Sequence, residues 1–150
     1  MRPPVSAARL VIARRPVAGI AAEDICAANA WLRRRAGIEP TQIICVGLGE
    51  NGVAVLLAAA LDKKIGAVAA LHLGQTYAAG RDEPFLPNLL RYGDLPQIAA
   101  LIAPRAMFLA GIDKEEFKMA TSNKKLHLEA KVDANGQKFM SWLEVLWKQN

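Results

Sequence analysis

Three short runs in which almost every residue is apolar punctuate the chain at Gln42–Val46, Ile65–Leu71 and Ala106–Ala110. Runs of this length without polar alternation suit strands buried on both faces, as in a parallel sheet covered by helices. Helical patterns fill the intervals. Residues 23–36 place Ile25, Ala28, Trp31 and Leu32 on one face, close on Arg33–Arg35, and meet Gly37 where a helix should stop. Val53–Leu61 is apolar nearly all round, so a helix there must be heavily buried. Asp94 is suited to cap a helix over Leu95–Ile102, with Pro96 tolerated in the first turn. Residues 114–120 read as a short polar helix. Leu126, Leu128 and Ala130 alternate with His127, Glu129 and Lys131, the pattern of a half-exposed edge strand with the His127 side chain turned from the core. Phe139, Trp142, Leu143 and Leu146 recur at helical spacing and predict a docked final helix. Strand–helix alternation without a linker or repeat predicts one α/β domain over residues 1–150, with a mostly parallel sheet of about four strands flanked by helices.

Composition narrows the class. Of 150 residues 53% are hydrophobic and 22% charged, a balance that excludes disorder. No apolar stretch reaches the roughly 18–20 residues that span a bilayer, and arginines interrupt the N-terminal stretch, so a cytoplasmic protein without a membrane segment is expected. Cys26 and Cys45 make no disulfide framework, and no Cys or His spacing suits a metal. Neither a metal nor a cofactor is therefore expected. The net charge of +5 has an uneven source, since seven of the ten arginines lie within the first 35 residues. No aromatic residues interleave with them, and Arg33–Arg35 fall where cations favour a helix C-terminus. A solvated helix end explains them better than a nucleic-acid surface.

One motif stands out. Gly47-Leu48-Gly49-Glu50-Asn51-Gly52 matches G-x-G-x-x-G between a predicted strand and a predicted helix. In a dinucleotide-binding module such glycines let backbone approach a pyrophosphate at the helix N-terminus. That reading also wants an acidic residue closing the next strand, where this chain has Leu71-His72-Leu73-Gly74, and it sets the Glu50 carboxylate beside the phosphate position. The same turn also reads as a nucleophile elbow, the tight strand–turn–helix of the G-x-S-x-G motif.

In that second reading the stretch IICVGLGENGVAVLLAAALDKKIGAVAAL resembles the elbow, helix and next strand of α/β-hydrolases of the acetyl xylan esterase and dienelactone hydrolase kind. YGDLPQIAALIAPRAMFLAGIDK resembles that family's Asp-Leu-Pro helix and the Ala-Pro-Arg-led strand carrying the catalytic acid. VDANGQKFMSWLEVLW resembles the loop that bears the catalytic histidine and the closing helix. RPVAGIAAEDICAANAWLRRRAG is similar to the helix leading into the nucleophile strand. The resemblance covers roughly residues 14–150 and implies the later part of an α/β-hydrolase fold.

It also implies a depleted triad. Ester hydrolysis in this family needs a serine, a histidine, an acid and an oxyanion hole. Gly49 stands at the serine's position, Gln137 at the histidine's and Asp113 at the acid's. About 41 residues precede the elbow strand, so a truncated domain lacking the earlier strands and part of the oxyanion hole is expected. Glu50 and His72, with Asp113, are the residues that could substitute catalytically. Cys45 reads as a small core residue, and Ser6, Ser122 and Ser141 lie near no strand end with a histidine beside it. Three functions follow: a catalytically impaired hydrolase-like domain binding a small ester or acyl ligand or a protein partner, a weak carboxylic ester hydrolase, and a dinucleotide-binding module. Without earlier strands, Gln42–Val46 would be an apolar sheet edge with nothing to blunt it, and a homo-oligomer is expected there.

Overall fold

The computed structural model describes residues 16–35, 38–117, 123–133 and 135–148. Helix α1 (Val17–Arg34) leads through a 3₁₀ turn at Pro40–Gln42 into strand β1 (Ile44–Leu48). Helix α2 (Glu50–Leu61) joins β1 to β2 (Ala67–Leu71), and α3 (Leu95–Ile102) joins β2 to β3 (Ala106–Ala110). Strand β4 (Leu126–Glu129) and helix α4 (Gln137–Lys148) follow. The strands form one all-parallel sheet in the order β1-β2-β3-β4, with Ile44 opposite Ala67, Val68 opposite Met107 and Phe108 opposite His127. An α/β domain with a parallel four-stranded sheet is what the alternation of apolar runs dictates.

Side chains of alternate sign build the two faces. Cys45, Val68, Ala70, Met107, Leu109, Leu126 and Leu128 meet α1, α2 and α3 on one face, around the fully buried Val53, Leu56, Leu95 and Phe117. Ala69, Leu71, Phe108 and Ala110 face the other way and are covered by Val132 and by Phe139 and Trp142 of α4. The Phe108 ring lies 5.5 Å from Phe139 and 5.6 Å from Trp142. Arg105 ties the far end of the first layer together. Its guanidinium donates to the carbonyls of Ala59 (2.6 Å), Ile65 (3.0 Å), Asp62 (3.1 Å) and Ile102 (3.0 Å), closing the ends of α2 and α3.

Some expectations shift. The first strand begins at Ile44 rather than Gln42, because Pro40–Gln42 form a capped 3₁₀ turn in which Gln42 Oε1 accepts from the Glu39 N–H at 2.9 Å. The seam of α1 is Ala18, Ala22, Ile25, Cys26 and Asn29, whereas Ala28 and Trp31 are exposed. Small residues win because α2 presents Ala58 and Ala59 at the contact, and only small side chains let the two helices approach. Residues 114–117 form a turn, residues 118–120 of the expected short helix lie outside the described residues, and so does Gly37. His127 is turned from the α1–α3 layer and its side chain is 43% exposed, but it is not merely solvated. It stacks on Phe108 at 4.8 Å, on the face that α4 covers in part.

Candidate functional site at the carboxyl edge of the sheet

Ligands of open parallel sheets sit beyond the carboxyl ends of the strands, where the helix-bound loops begin. Here that edge is assembled by backbone bonds that continue past the strands. Gly49 donates to Leu71 O (2.8 Å), Leu73 to Ala110 O (3.1 Å), Gly74 to Gly111 O (2.8 Å) and Gly111 to Glu129 O (3.0 Å). The turn after β1 therefore lies beside the end of β2, next to His72 in the chain.

Each glycine of the turn answers to a local steric demand. A side chain at Gly47 would set its Cβ 2.5 Å from Asn51 O, and one at Gly52 would meet Ala70 Cβ and Leu73 Cδ1 at 3.2 Å. Gly49 has φ +58° and ψ −125°, a conformation barred to most L-residues, with nothing within 4 Å of where a Cβ would stand. The turn is thus sharp, and its tip is open.

A cleft of about 620 Å³ opens beyond the ends of β2, β3 and β4, lined among others by His72, Gln75, Asp113, Glu116 and Lys131 and by no residue of the glycine turn. His72 and Asp113 are brought together in this cleft; both are exposed. His72 holds φ +54°, uncommon for a residue with a side chain, while the Gly111 backbone packs so close that a Cβ there would meet His72 Cα at 3.0 Å. Glu50 is not among the residues lining the cleft; it is the exposed first residue of α2, where a carboxylate suits the helix dipole. Gln137, the first residue of α4, lines a separate depression with His127, Lys138, Ser141 and Trp142, which shares no residue with the cleft. Among the described residues no serine, threonine or cysteine side chain lines the cleft.

Glu129, at the end of β4, is an ion-pair hub that the alternation pattern did not single out. Its carboxylate meets His127 Nε2 at 2.9 Å, Lys138 Nζ at 2.8 Å and Lys114 Nζ at 3.8 Å. Lys114 follows Asp113 and Lys138 follows Gln137, so one carboxylate ties down the segments bearing both positions. The hydrogen bond from Lys138 holds the Glu129 carboxyl below its ordinary range, against the opposing effect of burial, and His127 and Lys114 act in the same sense as Lys138. The only advance signal was an acid on the outward face of the predicted edge strand.

The loop over the cleft is anchored by Asp94. This buried N-cap of α3 accepts from Leu95 N (2.7 Å), and its two oxygens also take the amides of Tyr77 (3.1 Å) and Ala78 (2.8 Å). Arg81 donates to the carbonyls of Leu73, Gln75 and Glu83, and Tyr77 Oη donates to Pro84 O at 2.6 Å. Burial pushes the Tyr77 hydroxyl up to about 12. Elsewhere, burial raises the thiols of Cys26 and Cys45, which pack against the first helical layer. Among the described residues no cluster of His, Cys, Asp and Glu could hold a metal, and no helix is long and apolar enough to cross a membrane. Searches with this chain against protein-family models, curated proteins and solved structures found no match.

Proposed function

We propose that this chain is an α/β-hydrolase-like domain, of the acetyl xylan esterase and dienelactone hydrolase kind, that binds a small ester or acyl ligand without hydrolysing it. The observation that carries the reading is Gly49. It sits at the tip of a strand-to-helix turn with φ +58°, open space where a side chain would stand, and no nucleophile. A sharp turn of this type is what lifts the serine of a G-x-S-x-G motif above a parallel sheet. The sequential order of the four strands and the place of Asp113 just beyond β3 support the same reading. Lys131, His72 and Gln75 offer hydrogen-bond donors to a carbonyl or carboxylate in the cleft, and Ile112 and Val132 offer an apolar wall for its acyl part. A second copy of the chain is the proposed macromolecular partner, on the open side of β1.

Turnover of p-nitrophenyl acetate tests the chemistry. Loss of a serine-hydrolase nucleophile costs on the order of 10⁶-fold in rate. The protein should therefore hydrolyse the ester no faster than an unrelated protein of equal histidine content, while short acyl carboxylates shift the amide resonances of Gly74 and Gly111 saturably. Saturable turnover abolished by His72→Ala would replace this reading with a weak hydrolase in which His72 activates water. A thermal shift with NAD, and none with acyl ligands, would replace it with the dinucleotide reading.

A further inference from the structure

Strand β1 has a neighbour on one side alone among the described residues, since it pairs only with β2. Its outward backbone groups pair with no described strand, and its five residues carry no charge or proline to discourage pairing. The strand's alternation sends Cys45 to the helical layer and Ile44, Val46 and Leu48 to the face that α4 covers only partly. Val46 is 47% exposed and Leu48 59% exposed. Ile44 continues this apolar strip into a groove of about 400 Å³ formed with Leu143 and Trp147 of α4, and Trp147 is 74% exposed. Helix α4 has no fully buried residue, although Phe139 and Trp142 already dock it on Phe108. Its second apolar side is thus left over.

We propose that two copies of this chain join through β1 and this strip, as an isologous dimer with a continuous eight-stranded sheet. The strand is suited to pair with itself. A two-fold axis through Val46 runs the two β1 strands antiparallel and sets Val46 against Val46 of the partner subunit. The same axis places Ile44 opposite Leu48 of the partner subunit. Trp147, which shares the groove with Ile44, is thereby brought over that exposed leucine, so the least buried apolar groups of each copy cover one another. Glu144 and Lys148 border the groove and supply a rim of both charges, which a two-fold contact can satisfy without like-charge opposition. A three-quarters-exposed tryptophan with the leucine and valine presents apolar surface on the order of 300–400 Å², the size of the largest apolar patch on a typical monomer, which is often functional. A standard interface takes about 800 Å² from each partner, and the paired edge with its rim is what supplies the remainder.

The interface rests on the second-copy reading above and is independent of the hydrolase-like one. Sedimentation equilibrium of the whole chain from about 1 to 100 μM should give a dimer. Val46→Lys and, separately, Trp147→Ser should each raise the dissociation constant by roughly 30-fold or more, with the far-ultraviolet circular dichroism of the wild type retained. A wild-type monomer throughout this range overturns both readings; if removal of residues 1–15 then produces a dimer, that segment is the occupant of the edge. A wild-type dimer that neither variant weakens, but that Leu101→Lys on the opposite layer does, keeps the second copy and overturns this interface.

Discussion

At Gly49 the backbone holds a form that glycine adopts freely and other residues resist. Gly49→Ala should cost about 1–3 kcal/mol, the penalty for a side chain held in a sparsely populated backbone region, with no neighbour opposing the added methyl group. Gly47→Ala should cost more despite adding the same atom, since its Cβ must displace the Asn51 carbonyl. Urea denaturation of the two variants orders them, and equal costs would contradict the turn as described. That this turn would be tight was legible in the glycine spacing. Which glycine served the positive φ and which served close approach was not, because that depends on the distance between β1 and α2. A second residue-scale expectation concerns Glu129. A carboxyl held below its ordinary value of 4.5 stabilises the fold above that pH, and the contribution is lost as pH falls through the lower folded value. Urea midpoints measured from pH 6 down to pH 3 should fall more steeply for the wild type than for Glu129→Gln. Parallel curves would show that Lys138 and Glu129 do not interact in solution.

The elements themselves were largely written in the pattern. Leu95–Ile102 and Ala106–Ala110 have the bounds that their cap and apolar runs imply, since Asp94 and Arg105 act locally to start the helix and close its end. Helix α1 shows the opposite. Its tryptophan and leucine suggested the buried stripe, but the alanine-rich surface of α2 selects Ala18, Ala22 and Cys26 instead. Periodicity gives the angle of a face and not the partner that decides which face is used. Helix α4 is held mainly through one aromatic cluster, in which His127, Phe139 and Trp142 gather on Phe108. Phe108→Ala should destabilise the protein by about 3–5 kcal/mol, as a large buried aromatic does. Amide hydrogen exchange should show residues 137–148 losing protection first. Uniform loss of protection across β2, β3 and α4 would contradict the separateness of that layer. The anchor on the other side of the molecule is Asp94. Asp94→Ala leaves the amides of Tyr77 and Ala78 without acceptors as well as removing the cap, and should cost about 2–4 kcal/mol.

Across the whole molecule, the parallel sheet follows from the apolar runs, because strands joined by helices can pair side by side only through crossovers. The candidate site was partly legible for the same reason. Residues that follow strands, such as His72 and Asp113, must collect at one edge, and they share the cleft there. Glu50 also follows a strand, yet a helix begins at it and carries its side chain away, while Gln137 opens a helix on the other layer. The resemblance to hydrolases makes one claim beyond this geometry, that position 49 is where a nucleophile would act. Labelling of the double variant Gly49→Ser, Gln137→His with a fluorophosphonate, read by peptide mass spectrometry, tests it most directly. An adduct at position 49 of the folded double variant, with none on Ser6, Ser122 or Ser141 of the wild type, is the predicted result. A folded double variant with no adduct at position 49, or a wild-type serine that labels, would contradict the account.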